Sequence, residues 1–230
     1  MTKVIFIGAL LGGLGFNGAC GSGEHGQSTV PGCVDPTGPD CSIIVNERSF
    51  VHWTGAATDG LEGGRSTAVV EHTPNRFCMS GTVDASQNGA GWGAFLVLGL
   101  TDGTPKTGRT ISPFDAAARG ITRIQFTVDS PPSPGVLPQI TELESATCTL
   151  APDCFSTFGR AVPVSESATV TMALADFLTP DGNHPNATLD PALLTGLHFY
   201  VGPPPGTALA YAFCIRDLAF LDASGKEILP

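Results

Sequence analysis

Two stretches of this sequence alternate apolar residues with side chains that can do polar chemistry. In "ITRIQFTV", Ile124, Phe126 and Val128 share one parity, while Arg123, Gln125 and Thr127 share the other. In "LHFYV", Leu197, Phe199 and Val201 alternate with His198 and Tyr200. Successive side chains of a strand point to opposite faces, so each stretch pairs an apolar face with a face of Arg, Gln, His and Tyr. A face made only to meet water carries Lys, Glu, Ser and Thr. Arg, Gln, His and Tyr together are groups that stack on sugar rings and bond hydroxyls. The plainer alternative is an ordinary sheet stabilised by cross-strand contacts such as Tyr with Thr.

Nucleophilic and metal chemistry finds less support. The sequence holds no G-x-S-x-G and no H-E-x-x-H. "DGLEGGRST" at 59–67 resembles a phosphate loop only loosely, because Asp59 replaces the first glycine and Arg65 the lysine. It reads as a glycine-rich surface loop. The 5 histidines are scattered, and no C-x-x-C accompanies them, which argues against zinc. The acid pairs of glycoside hydrolases are defined in space rather than in sequence. A non-catalytic protein is therefore expected, with a hydrolase as a lesser alternative.

The cysteines carry a different message. "MTKVIFIGALLGGLGFNGAC" has Lys3, an apolar stretch from Val4 to Phe16, and then small residues. That is the layout of a secretory signal at 1–19, too short and glycine-rich for a stable membrane span. "NGAC" resembles a bacterial lipobox with Asn17 in place of the usual Leu, which would make Cys20 a lipid attachment site. An ordinary signal cut at the same place is the competing reading. The count of 7 cysteines is odd. An exported chain meets an oxidising compartment, so a lipidated Cys20 leaves six to pair. Cys33 with Cys41, and Cys148 with Cys154, each span a turn-rich loop. Cys78 and Cys214, both inside strand-like runs, remain as a long-range disulfide.

The elements that must position these residues are strands. The chain of 230 residues has 29 Gly and 19 Pro but only 14% charged residues, and its short apolar runs are punctuated by Gly and Pro. An all-β domain follows. A net charge of −10 with dispersed basic residues would repel phosphate backbones, so nucleic acid is not an expected partner. Residues 20–42 are a Gly, Pro and Ser-rich tether with little to bury, and 43–230 form one β-sandwich domain. Strand signals occur at 50–54, 66–73, 76–83, 91–100, 119–129, 136–143, 159–165 and 168–177, with a final pair within 194–222. "PFDAAARG" at 113–120 allows one helical turn. About ten strands separated by turn signals suggest a sandwich or jelly roll.

The order of motifs carries a resemblance. "WGAFLVLGL", "PFDAAARGITRIQF", "CTLAPDCFSTFGR", "VTMALADF", "LTGLHFYV" and "YAFCIRDLAFLD" together resemble the galactose-binding-like jelly rolls, over roughly residues 76–222. The nearest members are β-sandwich carbohydrate-binding modules of bacterial secreted proteins. The resemblance implies a two-sheet jelly roll and a glycan bound across a concave sheet face by aromatic stacking and polar side chains. The residues it brings forward are Arg123, Gln125, His198, Tyr200 and Trp92; Trp53 and Tyr211 are further rim candidates that no motif fixes. Members of that family often hold a calcium near the last strand, but here Asp217 keeps one of two usual acids and Arg216 replaces the other, so no cofactor is expected and a structural calcium is the alternative. Calcium needs six to eight oxygens, and the matching N-terminal acid would be Glu47. The expected protein is thus an exported, lipid-anchored sandwich of the bacterial cell envelope with a glycan as partner. The rival is a structural or adhesive envelope protein, in which His198 and Tyr200 would be covered.

Within the last strand pair, Leu197, Phe199, Val201, Phe213 and Ile215 should face the core. Leu218 and Phe220 join them only if a bulge near Arg216–Asp217 shifts the register.

Overall fold

The alternating runs pair as antiparallel strands in a computed structural model. It describes residues 42–43, 50–59, 64–85, 92–101, 112–133, 135–143, 155–159, 163–180 and 188–230. In chain order the strands are β1 (Ser42–Ile43), β2 (Trp53–Thr58), β3 (Thr67–Thr73), β4 (Arg76–Asp84), β5 (Ala94–Gly99), β6 (Arg123–Asp129) and β7 (Leu137–Leu143). They continue with β8 (Phe155–Gly159), β9 (Ala168–Ala173), β10 (Thr179–Pro180), β11 (Leu194–Val201), β12 (Ala208–Leu221) and β13 (Glu227–Ile228). A 7-stranded sheet has the order β1-β2-β5-β11-β7-β8-β10. A 6-stranded sheet has the order β3-β4-β12-β6-β9, with β13 added along β12. The chain passes back and forth between the sheets, as in a jelly-roll sandwich.

The apolar parities of both sheets face each other. Leu96, Leu98, Ile140, Phe158, Leu197 and Phe199 of the larger sheet are buried, as are Phe77, Met79, Ile124, Phe126, Met172, Phe213, Ile215 and Phe220 of the smaller. All belong to one cluster. Burying a side chain of this size stabilises by about 1.5–3 kcal/mol. Phe126 meets Phe199 edge to face, with ring centroids 5.0 Å apart. At one end, Phe50 packs on Phe114 at 4.9 Å and on Phe220 at 5.4 Å.

β12 behaves as its parities require. Tyr211, Phe213 and Ile215 point inward, and the pairing with β6 then shifts register between Arg216 and Ala219. Asp217 takes φ +54° in this bulge, a conformation that Asp tolerates better than most residues. Leu218 and Phe220 are thereby returned to the core, as expected. Cys78 and Cys214 lie opposite each other on β4 and β12 and form the long-range disulfide, with Cα atoms 4.0 Å apart.

Several boundaries differ from the sequence reading. The first long strand begins at Trp53, while Phe50 and Val51 enter the core ahead of it. Of the described residues in "GRAVPVS", Gly159 ends β8 and Val164 forms a bridge with Val136, and the strand beside β7 is Phe155–Gly159. Pro163 lacks the N–H that a ladder there would need. The short β13 arises from a tight turn in which the Asp222 carboxylate accepts the backbone N–H groups of Ser224 (2.8 Å) and Lys226 (2.9 Å). The stretch 116–120 is a turn closed by Gly120 at φ +72°.

The expected signal at 1–19, the lipid site Cys20, nearly all of the tether, Glu47, and the cysteines Cys33, Cys41, Cys148 and Cys154 lie outside the described residues.

Candidate functional site

The site is built on the outer face of the 7-stranded sheet, where cross-strand register arranges the side chains in rows. One row runs Trp53, Gly99, Gly196, Thr141 and Thr157. The next runs Gly55, Val97, His198, Gln139 and Gly159. The third runs Ala57, Phe95, Tyr200 and Leu137. None of these outward residues is Asp, Glu, Lys or Arg. The outer face of the 6-stranded sheet, by contrast, presents Glu71, Arg76, Arg123, Asp129 and Arg216. In a chain of net charge −10, one sheet face is therefore uncharged among the described residues.

The large side chains on this face are seated against glycines. A Cβ on Gly99 would fall 1.9 Å from the Trp53 ring, so the indole lies directly over that glycine. A Cβ on Gly202 would fall 2.6 Å from the Tyr200 hydroxyl. Gln139 lies over Gly159 and His198 beside Gly196, both in ordinary contact, at 3.7 Å and 3.8 Å from the corresponding positions. The glycines let long side chains fold down onto the sheet and flatten the surface.

The rings also touch one another. Phe95 lies 5.2 Å from Trp92, 4.9 Å from Tyr200 and 5.7 Å from His198, in tilted contacts. The Tyr200 hydroxyl donates a hydrogen bond to the Trp92 carbonyl. The Thr141 hydroxyl is 3.2 Å from His198 Nε2. Desolvation lowers the His198 pKa to about 4. The ring is therefore neutral at neutral pH, with one nitrogen donating and one accepting. Desolvation, and then the Asp59 carboxylate, push the Tyr200 phenol up to about 12. It stays protonated as a donor. Two polar atoms on this face, Trp53 Nε1 and Gln139 Oε1, are buried yet have no hydrogen-bond partner among the described residues. Such groups are costly to leave unpaired, by about 1–3 kcal/mol each.

Four expected residues therefore come together: Trp53, Trp92, His198 and Tyr200. The others do not join them. Arg123 and Gln125 have the parity opposite to Phe126, so they leave the sandwich on its far side, on the outer face of the 6-stranded sheet. There Gln125 Nε2 donates to Thr171 Oγ1 at 2.9 Å, and Thr127 and Thr169 share a hydrogen bond of 2.8 Å. That is the ordinary cross-strand pairing weighed as the alternative. Tyr211 is a core residue rather than a rim residue, and its hydroxyl donates to the Thr67 carbonyl at 2.8 Å. The Asp217 carboxylate is occupied by Asn75 Nδ2 at 3.0 Å and by the Arg216 guanidinium. Arg216 also reaches Asp129 at 2.9 Å. With Arg216 in place of an acid, this carboxylate serves an ion pair, and among the described residues no three His, Cys, Asp or Glu side chains cluster as a metal site.

Phe95, Gln139, Thr141 and the seating glycines were not singled out from sequence. The parity of "AFLVLG" and "PQITEL" does contain them, since Phe95, Val97 and Gly99 alternate with the core residues Leu96 and Leu98. Asp59 was also missed. The loop taken for a surface feature starts from a fully buried carboxylate.

No protein-family model and no curated protein matches the chain. Several solved structures do. The family 11 carbohydrate-binding module of the cellulosomal cellulase Lic26A-Cel5E of Clostridium thermocellum aligns at 14% identity and TM-score 0.46, covering 85% of this chain and 97% of that one. The family 11 module from Clostridium thermocellum in complex with a β-1,3-1,4-mixed-linked tetrasaccharide aligns at 13% identity and TM-score 0.42, covering 74% and 89%. The solution structure of CtCBM11 aligns at 13% identity and TM-score 0.44, covering 81% and 98%. At these scores neither fold nor function is inferred from the likeness, and the sandwich is established by its own strand pairing.

Proposed function

We propose that the protein is a non-catalytic glycan-binding sandwich whose ligand, an uncharged polysaccharide, lies on the outer face of the 7-stranded sheet. The observation that carries this reading is the composition of that face: Trp53, His198 and Tyr200 seated against glycines, with Phe95, Gln139 and Thr141 beside them and no charged side chain among the described outward residues. Apolar faces of neutral sugar rings stack on such a surface, and their hydroxyls match amide, imidazole and hydroxyl groups. A polyanion would find no cation there, and a carboxylate pair for hydrolysis would have to come from outside this face. The chain is exported and held to a bacterial envelope membrane through lipid on Cys20. The N-terminal stretch and the odd count of 7 cysteines support this part.

One observation favours the rival reading, a sandwich that contacts other envelope proteins: His198 and Tyr200 are only half-exposed and already hydrogen-bonded. A glycan array separates the two. Retention of the folded domain on neutral polysaccharides supports glycan binding, and a folded domain that is retained on none refutes it.

A further inference from the structure

Asp59, at the end of β2, is completely buried, and its carboxylate is held by hydrogen-bond donors. Oδ1 accepts the Ser66 N–H at 2.9 Å, while Oδ2 accepts the Ser66 hydroxyl at 2.8 Å and the Gly93 N–H at 3.0 Å. Its own N–H donates to the Gly93 carbonyl at 3.2 Å, and its carbonyl accepts the Gly64 N–H at 2.9 Å. Gly64 passes so close that a Cβ there would fall 2.1 Å from Oδ1. Ser66 Oγ in turn accepts the Asp84 N–H at 3.2 Å. One carboxylate thus ties the ends of β2 and β4 to the starts of β3 and β5, and so joins the two sheets.

The tie ends beside the candidate ligand face. Gly93, which follows Trp92, has φ +114°, and a Cβ on it would fall 2.3 Å from the Val201 carbonyl at the end of β11. Only glycine fits this junction without strain. The Trp92 carbonyl, in the same planar peptide group as the Gly93 N–H, receives the Tyr200 hydroxyl. Its ring contacts Phe95. A carboxylate with two acceptor oxygens suits three converging donors, whereas an amide would turn an N–H toward at least one of them.

We propose that Asp59 is a positioning residue for ligand binding, holding Gly93 so that the Trp92 carbonyl anchors Tyr200 and the Trp92, Phe95 and Tyr200 rings are presented together. This role rests on the glycan-binding reading. Asp59 itself does not touch the ligand.

The test uses Asp59→Asn, with Ser66→Ala as a milder variant should the first not fold. The sequence has 2 tryptophans, so a 1H–15N spectrum contains two indole signals, distinguished by Trp53→Phe. Asp59→Asn is expected to move or broaden the Trp92 signal and leave that of Trp53 in place. Retardation of the variant in gels containing hydroxyethyl cellulose, galactomannan or xylan should weaken about tenfold, as for loss of one buried hydrogen bond. Adding Tyr200→Phe should cost little more, because both changes break one chain of contacts. An unmoved Trp92 signal, undiminished retardation, or fully additive losses would overturn the proposal. If the wild type is retarded by none of the three polysaccharides, the glycan reading falls, and the indole signals still decide whether Asp59 orders Trp92.

Discussion

The rings of Phe126 and Phe199 meet edge to face across the middle of the sandwich, 5.0 Å between centroids and at 81°. Because side chains alternate along each strand, this contact sends Gln125 and His198 away from each other, to opposite outer surfaces. Truncating either ring should leave a cavity between sheets that cannot close. Phe199→Ala and Phe126→Ala should each lower unfolding free energy by about 3–5 kcal/mol in urea titrations. A loss under 1 kcal/mol would mean that the sheets do not pack through this pair.

Gly99 is the seat of Trp53. Gly99→Ala puts a methyl 1.9 Å from the indole position, and the ring must lift off the sheet. The strand itself tolerates alanine, so the cost should be about 1–3 kcal/mol, that of overpacking. Trp53 emission, isolated in a Trp92→Phe background, should shift to the red as the ring becomes wetter. Unchanged emission would show that the ring is not seated on that glycine.

Parity could be read from the sequence wherever alternation was clean. Leu197, Phe199, Val201, Phe213 and Ile215 are buried, and the bulge at Asp217 returns Leu218 and Phe220 to the core. Cys78 and Cys214 are bonded as the count of strand-borne cysteines suggested. Alternation states which residues share a face of one strand. It does not state to which sheet that strand belongs. For that reason the sequence groups Arg123 and Gln125 with His198 and Tyr200, although β6 and β11 lie in different sheets. Sheet membership comes from pairings between distant segments, and no local pattern encodes those. Tyr211, a rim candidate that no motif fixes, shares the inward parity of Phe213, and the Thr67 carbonyl satisfies its hydroxyl. The burial of Asp59 is not legible locally, because it depends on donors from two other segments, at Ser66 and Gly93.

His198 gives the protein an acid-sensitive component. Its pKa falls from 6.5 to about 4 on folding, through desolvation. Above pH 6.5 both states are neutral and the contribution is intact. As pH falls from 6.5 toward 4 the unfolded chain takes up the proton first, so stability declines by at most about 1.4 kcal/mol per pH unit and then levels off. Urea unfolding across this range should show a steeper decline for the wild type than for His198→Gln. Parallel pH profiles would contradict the desolvated ring.

The Cys78–Cys214 disulfide closes a loop of sequence separation 136. Replacing both cysteines with alanine should lower stability by about 2–5 kcal/mol in urea titrations. The bond lies on the outer face of the 6-stranded sheet, away from the candidate ligand surface. Any glycan retention measured under stable conditions should therefore be unchanged, and a parallel loss of retention would place the ligand on the wrong sheet.

The central claim is that the ligand lies on the 7-stranded sheet. Affinity electrophoresis in neutral polysaccharide gels tests it most directly, comparing the wild type with Tyr200→Ala, Trp53→Ala, Gln125→Ala and Arg123→Ala, all shown to be folded. The account predicts wild-type retardation that drops about tenfold or more with either aromatic change, since an aromatic contact contributes about 0.5–1.5 kcal/mol beyond the apolar area it buries and tenfold is about 1.4 kcal/mol, and that persists in Gln125→Ala and Arg123→Ala. Retardation lost in Gln125→Ala or Arg123→Ala but kept in Tyr200→Ala and Trp53→Ala would contradict it.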